Sequence, residues 1–251
     1  MRVMPNVVLI EYTPNPERVV AAAGRLCYSS ADVQALQQKV SRRDQSGYIT
    51  MLRRLGHLST FEHVSFTFGI EGVSRALLAQ ITRHRIASFS VQSQRYVGQS
   101  GEHGFDYVVP PAIEALGEEH MRRFAEQMAQ MDSWYNEWLE LLGEGGKEDA
   151  RFVLPNAAAT RMVVTMNARE LIHFFELRCC NRAQWEIRAV AWRMFELCHA
   201  VAPALFDECG PACLRGSCPE GNKSCGRPDE VRARYQRAVS AHEPDAPDEG
   251  D

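Results

Sequence analysis

The chain has 251 residues, of which 45% are hydrophobic and 24% charged, and its formal net charge is −4. These values are those of a globular protein with a substantial core, and the negative balance argues against a nucleic-acid-binding surface. The longest apolar runs are too short to span a membrane, and the first residues lack the length and cleavage site of a signal peptide. We therefore expect a cytoplasmic protein with no membrane partner.

The first part of the chain predicts a strand followed by two helices. Residues 7–12 have the composition of a strand. In the helix that follows, Asn15 is the predicted cap and Pro16 the first helical residue. A second helix is predicted over 46–55 and ends at Gly56.

Another strand and another helix are predicted next. Phe66, Phe68 and Ile70 alternate with smaller or polar residues, as in a half-buried strand. Apolar residues then recur at helical spacing as far as His84, so we predict a helix that ends there and a loop beyond it.

The second part of the chain predicts three further helices and one strand. Apolar residues recur every three to five positions over 112–142, which indicates a core helix or a subunit interface. Residues 159–166 predict a strand, and the next helix has Asn167 at its cap with Glu170 three residues later. The helix over 183–206 is apolar on most faces and is expected to be deeply buried or packed between subunits.

Strands and helices interleave, so the predicted fold class is α+β, with a single domain over residues 1–206. No glycine-rich turn leads from a strand into a helix, which disfavours a dinucleotide or P-loop site of the usual kind. Residues 207–226 form a cysteine-rich extension. The tail over 227–251 is rich in Pro, Asp and Glu and is expected to be disordered.

Positive charge is concentrated in the segment RHRIASFSVQSQRY, residues 83–96, where arginines and a histidine stand beside hydroxyl and amide side chains. Clustered guanidinium groups repel one another unless an anion or carboxylates lie between them. Two interpretations stay open from the residues alone. The segment is either a solvated loop whose charges pair with surface carboxylates, or a site for a phosphate or a pyrimidine.

The same segment contains Arg-His-Arg, seven residues and a serine, which resembles the signature of the flavin-dependent thymidylate synthases, the ThyX type. Upstream, GHLSTFEHVSFTF resembles the family's Gly-His…Phe-Glu-His segment. Downstream, RFVLPNAAATRMVVTMNARELIHFFELRCCNRAQWEI resembles its second block. The resemblance extends over about residues 50–190.

This resemblance implies an FAD-dependent reductive methylation of dUMP to dTMP. Methylenetetrahydrofolate would supply the carbon, NADPH would reduce the flavin, and no protein nucleophile would attack the pyrimidine. The family's fold would be a central mixed or antiparallel sheet flanked by long helices. Its assembly would be a homotetramer whose active sites are shared between subunits.

The resemblance also implies a role for individual residues. The flavin would be bound by Arg83, His84, Arg85, Ile86, Ser59, Glu62, Asn167, Arg169 and His173. The substrate dUMP would be bound by Gln80, Ser93, Gln94, Arg95, Arg151 and Arg178, with Arg95 and Arg151 at its phosphate. The implied catalytic residues are Arg178, Ser93 and His57; the Arg178 cation would stabilise a developing anion on the pyrimidine.

Two positions depart from the family pattern. Val91 stands where some members have a glutamate near dUMP, and His173 stands where an asparagine is expected beside the flavin. A third position, His84, has a purely structural hydrogen-bonding role as its alternative, because it lies on the apolar stripe of its helix.

Four of the eight cysteines crowd into the extension, and these are Cys209, Cys213, Cys218 and Cys225. Four thiols in a loop-rich stretch predict a tetrahedral zinc site, although the spacing lacks paired Cys-x-x-Cys knuckles. Reduced thiols and local disulfides are the alternatives.

Two other functions stay open from the residues alone. A nucleic-acid-binding module would use Arg83, Arg85 and Arg95 together with a zinc ribbon, and its binding would be sensitive to salt. A nucleotide-binding protein without redox activity would bind dUMP but retain no flavin. The net negative charge argues against the first, and we expect no nucleic-acid partner.

Overall fold

The computed structural model describes residues 1–98 and 104–240. The described residues form an α+β fold, which confirms the predicted fold class. Its four strands are β1 (Asn6–Tyr12), β2 (Ser65–Ser74), β3 (Ala87–Val91) and β4 (Ala159–Asn167).

Helices make up most of the remaining structure. The α-helices are α1 (Pro16–Leu26), α2 (Val33–Ser41), α3 (Ser46–Arg54), α4 (Arg75–Ile81), α5 (Pro111–Glu114), α6 (Glu118–Leu142), α7 (Lys147–Ala150), α8 (Ala168–Arg178), α9 (Trp185–Val201), α10 (Pro203–Phe206) and α11 (Pro228–Ser240). Short 3-10 helices span Leu58–His63, Arg151–Val153, Ala212–Leu214 and Gly221–Lys223.

The strands form one sheet in the order β1-β2-β4-β3. The register of β1 against β2 follows from the Thr13 amide, which donates to the Ser65 carbonyl at 3.0 Å at one end, and from the Asn6 side chain, which donates to Glu71 at 2.9 Å at the other. This pairing is antiparallel. On β2 and β4 the Thr67 and Thr165 hydroxyls share a hydrogen bond of 2.9 Å.

The chain divides into two compact units. Unit 1 contains the described residues of Met1–Val7, Gly69–Arg85 and Phe89–Val164. Unit 2 contains Val8–Phe68, Ile86–Ser88 and the described residues of Thr165–Asp251.

In unit 1 the apolar core lies along one face of α6. Phe105, Met128 and Ala158 are buried, and partly buried side chains such as Phe124 and Met131 pack around them. The Tyr107 ring packs edge-on against Phe124, with their centroids 6.0 Å apart. The interval 112–142, predicted as one stretch, is divided into α5 and α6. Gly117 stands between them with φ of 95°, a backbone conformation that favours glycine.

Close backbone approach in unit 1 explains Gly72 in β2. Its φ is 66°, and a Cβ built on it would lie 2.1 Å from the Met4 carbonyl oxygen. Any other residue would clash with that backbone oxygen, so this position requires glycine.

The core of unit 2 is a cluster of phenylalanine rings. Phe66 packs against Phe206 with ring centroids 5.3 Å apart, and Phe175 contacts Phe195 at 5.6 Å and Phe206 at 5.8 Å. On α9, Val190, Met194, Phe195 and Cys198 are among the buried residues. The predicted deep burial of this helix is confirmed.

Beyond Arg227 the structure differs from the predicted disorder. The helix α11 spans Pro228–Ser240 and buries Val231, Tyr235 and Ala238. These three residues recur at helical spacing, and the burial of that face stabilises the helix despite its polar composition. The prediction was therefore wrong for residues 228–240, and the rest of the tail lies outside the described residues.

One side chain of α11 fixes an unusual turn. The Tyr235 hydroxyl accepts a hydrogen bond from the Glu208 amide and donates one to the Asp207 carboxylate, both at 2.8 Å. Glu208 has φ of 54°, which is unfavourable for a non-glycine residue, and the bond to its amide helps to hold this conformation.

The charged segment 83–96 also differs from its prediction. The helix α4 ends at Ile81, and Ala87–Val91 form strand β3 where a loop was expected. Partly buried Ala87, Phe89 and Val91 alternate with exposed Ser88 and Ser90. This period of two is typical of a strand, and the polar residues around it obscured the pattern.

In the part of the chain that the structure describes, no helix combines the length and apolar character that a membrane span requires.

Candidate functional site

In unit 1 two arginines contact Glu148 and a third lies near one of them, and we call the three the arginine cluster: Arg75, Arg95 and Arg151. The Arg95 guanidinium lies 2.9 Å from the Glu148 carboxylate, and the Arg151 Nε donates to the Glu148 carbonyl at 2.9 Å. Burial lowers the pKa of Arg75, and the nearby Arg151 lowers it further. Positive charge therefore exceeds negative charge here, which favours an anionic ligand.

The arginine cluster is built from three separate elements. Arg75 is the first residue of α4, Arg95 lies in the turn after β3, and Arg151 begins the 3-10 helix that follows α7. The Arg75 amide donates to the Ala158 carbonyl at 3.0 Å, which anchors the start of α4.

The turn after β3 also presents an amide group. The Ser93 hydroxyl accepts a hydrogen bond from the Arg95 amide at 3.2 Å, which shapes the turn. Gln94 is buried, and its Nε2 has no hydrogen-bond partner among the described residues. A buried donor without a partner costs about 1–3 kcal/mol, so a ligand that accepts from it would recover that energy.

The Arg-His-Arg triplet follows α4. Arg83 and Arg85 are exposed, whereas His84 is only 5% exposed. Gln80, on α4, is partly buried. Burial of His84 agrees with its alternative structural role, and the two flanking arginines remain accessible to a ligand.

Unit 2 contains the other predicted residues, and it brings two of them together. The Arg169 guanidinium forms an ion pair with the Glu62 carboxylate, and both side chains are about half exposed. His57 and Ser59 are exposed near the start of the Leu58–His63 3-10 helix. Ile86 belongs to the same unit and is 68% exposed, unusually high for an isoleucine.

Helix α8 positions three more of the predicted residues. The Asn167 Oδ1 accepts from the Glu170 amide at 2.8 Å, which confirms the predicted cap. The helix uses this oxygen, so Asn167 has its side-chain NH₂ left for a ligand. His173 is exposed, and Arg178 is partly buried in the last turn of the helix.

The sequence did not single out Arg75 or Glu148. Arg75 stands within an apolar run, and its position beside Arg151 depends on contacts between distant segments. Glu148 stands among surface acids, and only its pairing with Arg95 distinguishes it. The sequence did contain one signal for Arg75: it is a cation within an apolar helix, and such a residue requires a partner or a ligand.

The cysteines of the extension separate into two environments. Cys213, Cys218 and Cys225 line a cavity of about 300 Å³ in unit 2, and Cys180 lines it with them. Cys209 is not among the lining residues; its thiol donates to the Leu205 carbonyl, and burial raises its pKa to about 12. Cys209 therefore belongs to the packed core and not to the cavity lining, and the predicted ligand set stays a prediction.

The thiols in this region are free. Each of the eight cysteines is outside any disulfide, and within residues 1–98 and 104–240 no group of three or more His, Cys, Asp or Glu residues is placed so that it could hold a metal ion. Burial raises the pKa of Cys213, and the neighbouring Cys180, Cys218 and Cys225 raise it further.

These features define an α+β protein with a basic, partly buried cluster of side chains whose chemistry suits an anionic ligand. The family model described as thymidylate synthase complementing protein matches residues 8–204. Among curated relatives, the flavin-dependent thymidylate synthase of Geobacter sulfurreducens is 51% identical and covers 92% of this chain and 98% of its own length. That of Nitratidesulfovibrio vulgaris is 51% identical, with coverage of 90% and 96%. The chain belongs to the flavin-dependent thymidylate synthase family, and the resemblance seen in its sequence is confirmed.

Solved structures agree with this assignment. ThyX from Helicobacter pylori, crystallised with FAD and dUMP, has a TM-score of 0.59 and 26% identity, with 82% of this chain and 99% of that chain covered. The UMP/dUMP methylase PolB from Streptomyces cacaoi, bound to 5-Br dUMP, has a TM-score of 0.66 and 25% identity, with 82% and 94% covered.

Proposed function

We propose that this protein carries out the reductive methylation of dUMP to dTMP, with FAD as cofactor, methylenetetrahydrofolate as carbon donor and NADPH as reductant. The relatives' names and the FAD and dUMP bound by the Helicobacter pylori protein support this proposal. For the atoms and electrons to balance, both carbon–nitrogen bonds of the folate methylene break, its carbon bonds to C5 of the pyrimidine, C5 loses its proton, and one hydride completes the methyl group. Tetrahydrofolate is released, and NADPH supplies the two electrons. Residues 1–206 carry the reaction.

The arginine cluster is the observation that carries the proposal. A nucleotide phosphate needs several charge-assisted donors, and Arg95 and Arg151 meet this need. In the described structure the Glu148 carboxylate pairs with Arg95 at 2.9 Å. A phosphate would compete with this carboxylate as the stronger acceptor.

The turn after β3 gives the site its selectivity for a pyrimidine. The buried Gln94 Nε2 donor would pair with a pyrimidine carbonyl, and Ser93 and Gln80 would complete the contacts. Val91 brings no carboxylate to this region, so we assign no acidic contact to dUMP there.

The remaining polar residues fit a flavin nucleotide by their chemistry. The exposed Arg83 and Arg85 suit its pyrophosphate, and the exposed Ile86 suits the face of its ring. When bound, FAD supplies the hydride. We assign the following residues to its binding: Arg83, His84, Arg85, Ile86, Ser59, Glu62, Asn167, Arg169 and His173.

Arg178 has the electrostatic role in this proposal. Its partly buried guanidinium would stabilise negative charge that develops on the pyrimidine. His57 and Ser93 would orient the reactants and hold protons.

Two buried cysteines support a reaction without a protein nucleophile. Burial raises the pKa of Cys179 and Cys198 well above the usual range, so these two stay protonated and unreactive.

We also propose a homotetramer. On α6, Trp134 and Trp138 are each 47% exposed and Leu141 is 69% exposed. An apolar face of this size on one helix is typical of a subunit interface. Light scattering during gel filtration tests the assembly, and Trp138→Asp is expected to yield smaller particles while Arg122→Asp on the same helix does not.

A direct assay tests the function. The purified protein is expected to be yellow and to change its flavin spectrum when dUMP is added. It should release tritium from uracil-5-labelled dUMP only when NADPH and methylenetetrahydrofolate are both present. UMP is the matched competitor, since one relative is named for acting on both nucleotides. A colourless protein that takes up no added FAD would contradict the proposal.

A further inference from the structure

Unit 2 contains a basic cavity of about 450 Å³ that is lined by none of the residues assigned to dUMP or FAD. It is formed by α1, α2, α3 and the turns between them. Three of its lining residues are the cations Arg25, Lys39 and Arg43, and two are the tyrosines Tyr28 and Tyr48. We call it the α2 cavity. Its volume is within the range of small-molecule sites, about 300–1,000 Å³.

Positive charge in the α2 cavity is not balanced by the side chains around it. None of its lining residues is acidic, and Arg25, Lys39 and Arg43 form no ion pair with a carboxylate in the described part of the chain. Asp44 follows Arg43 but is bonded elsewhere, since its carboxylate accepts from the Ser46 amide at 3.2 Å and from the Ser46 hydroxyl at 2.7 Å. Cations gathered without carboxylates favour an anionic ligand.

Buried Gln45 holds one guanidinium of the α2 cavity in a fixed position. Its side-chain oxygen accepts from the Arg25 Nε at 3.1 Å, and its Nε2 donates to the Val40 and Arg43 carbonyls, both at 2.9 Å. The Arg25 guanidinium also lies over the Tyr48 ring, 4.1 Å from its centroid. Among the described residues its two Nη groups have no hydrogen-bond partner. Two donors that are held in place in this way bind an anion at a small cost in entropy.

The two tyrosines give the α2 cavity aromatic surfaces of different kinds. Burial raises the pKa of the Tyr48 hydroxyl, although the nearby Arg25 opposes this, so the hydroxyl stays protonated and can donate. Helix α1 packs closely against it, since a Cβ built on Gly24 would lie 3.0 Å from the Tyr48 hydroxyl oxygen. Tyr28 is 85% exposed. An exposed aromatic ring beside cations is a surface on which a nucleotide base stacks.

We propose that the α2 cavity binds a nucleoside triphosphate. The phosphates would lie among Arg25, Lys39 and Arg43, and the base would stack on Tyr28. Three cations from separate segments suit a chain of phosphate groups better than the single phosphate of dUMP. Binding forms and breaks no covalent bond. The site shares no residue with the reaction proposed above, so it does not depend on that reaction.

Lysine labelling of the wild-type protein provides the first test. The chain has three lysines, Lys39, Lys147 and Lys223, and of these Lys39 alone lines the α2 cavity. Protein saturated with FAD and dUMP is acetylated with and without dTTP or ATP, and the modified lysines are measured by mass spectrometry. At about ten times Kd, either nucleotide is expected to slow modification of Lys39 about tenfold. Modification of exposed Lys223 should stay unchanged.

Three labelling results would overturn the proposal. The first is a rate at Lys39 that neither dTTP nor ATP changes. The second is equal protection of Lys39 and Lys223, which would indicate general binding to positive charge. The third is protection of Lys39 by FAD alone, which would assign the α2 cavity to the flavin. The nucleotides can also be tested without FAD, so the result is distinct from the outcome of the proposed reaction.

Matched variants test the individual contacts by titration calorimetry. Arg43→Ala is expected to weaken dTTP binding about tenfold, whereas Arg42→Ala, which removes an exposed cation outside the cavity lining, should change it less than about twofold. Tyr28→Ala should weaken dTTP binding about tenfold but leave the binding of inorganic tripolyphosphate unchanged, because only the nucleotide has a base to stack. Equal losses in the two arginine variants, or equal affinity of wild-type protein for dTTP and tripolyphosphate, would contradict the proposal. The labelling of wild-type protein keeps the test valid if a variant fails to fold.

Discussion

Arginines in the two units differ in what their guanidinium groups contact. In unit 2, Arg53, Arg188 and Arg215 donate to backbone carbonyls, for example from Arg188 to Asn181 at 2.7 Å. In unit 1, the Glu148 carboxylate pairs with Arg95, the Arg151 Nε donates to the Glu148 carbonyl, and Arg75 lies near enough to Arg151 for that cation to lower its pKa. An arginine that binds carbonyls completes the hydrogen bonds of the chain itself, whereas arginines that gather around too little negative charge are prepared for an anion. The difference separates structural from ligand-binding arginines although the residue type is the same.

Arg178 gives the largest expected effect, because the proposal assigns it a transition-state role. Arg178→Lys is expected to keep the fold and lower kcat by about 10²–10³-fold, since an ammonium cannot reproduce two parallel donors. Tritium release from labelled dUMP measures this loss. The control is Arg188→Lys, whose single bond to a carbonyl a lysine can replace, with activity expected near that of the wild type. Equal activity in both variants would show that Arg178 belongs with the structural arginines.

The arginine cluster gives the next effect. Arg151→Ala is expected to weaken dUMP binding by about 10–100-fold, the equivalent of about 1.4–2.8 kcal/mol, with kcat at saturating dUMP largely retained. Titration of the flavin spectrum with dUMP measures the affinity, and exposed Arg122→Ala on α6 is the control. Unchanged affinity in Arg151→Ala would mean that the cluster does not bind the phosphate.

Arg53 tests the structural role assigned to the carbonyl-bound arginines of unit 2. Its side chain donates to the Ala204 and Leu205 carbonyls at the end of α10, so Arg53→Met would remove one donor from each of them. We expect the free energy of unfolding to fall by about 2 kcal/mol and Tm by about 4–8 °C. Arg54→Met, which removes only an exposed pair with Glu208, should change stability by less than about 1 kcal/mol. A loss of dUMP affinity in the Arg53 variant at full stability would reverse its assignment.

A substitution at Glu17 gives the smallest expected effect, a pH-dependent change in stability. Burial raises the pKa of its carboxyl, although the hydrogen bond from the Ala204 amide opposes this. A folded-state pKa above the unfolded value means that the folded protein binds the proton more tightly. The contribution of Glu17 to stability is therefore full below the unfolded pKa and is lost as the pH rises through the folded pKa.

Glu17→Gln keeps the acceptor oxygen and removes this pH dependence. Relative to the wild type, the variant is expected to gain less than about 1 kcal/mol between pH 4 and pH 7. Urea unfolding at the two pH values measures the difference, and Glu11→Gln on β1 is the exposed control. A relative gain toward acid would contradict the assigned direction.

Local signals in the sequence predicted many element boundaries. Pro16 begins α1 as expected, and Asn167 caps α8 through the bond to Glu170. Asn15 is at the predicted position, but with φ of 50° it makes no side-chain cap bond. The sequence therefore predicts where a helix begins more reliably than it predicts which hydrogen bonds cap it.

Long-range contacts explain what the sequence did not predict. One face of α11 is formed by Val231, Tyr235 and Ala238, and its burial depends on α9. On that helix the Phe195 ring lies 5.6 Å from the Tyr235 ring. Cys180 faces the same cavity as Cys213, although thirty-two residues separate them, while Cys209, four residues away, lies elsewhere. Spacing along the chain cannot distinguish these two candidates. The roles of Arg95 and Arg151 come from the family resemblance, since no local pattern marks these residues, and both roles stay predictions.

The hydroxyl of Tyr235 determines how far the polypeptide can be trimmed. A chain ending at residue 227 would lose the hydroxyl that pairs with both the Asp207 carboxylate and the Glu208 amide, and it would uncover the ring of Phe195. The backbone at Glu208 would then be free to relax from its left-handed geometry. The cysteine-bearing loop that begins there would lose the hydrogen bonds that fix its first residues. Affinity tags and fusion partners therefore belong after residue 240, so that the contacts of Tyr235 are retained.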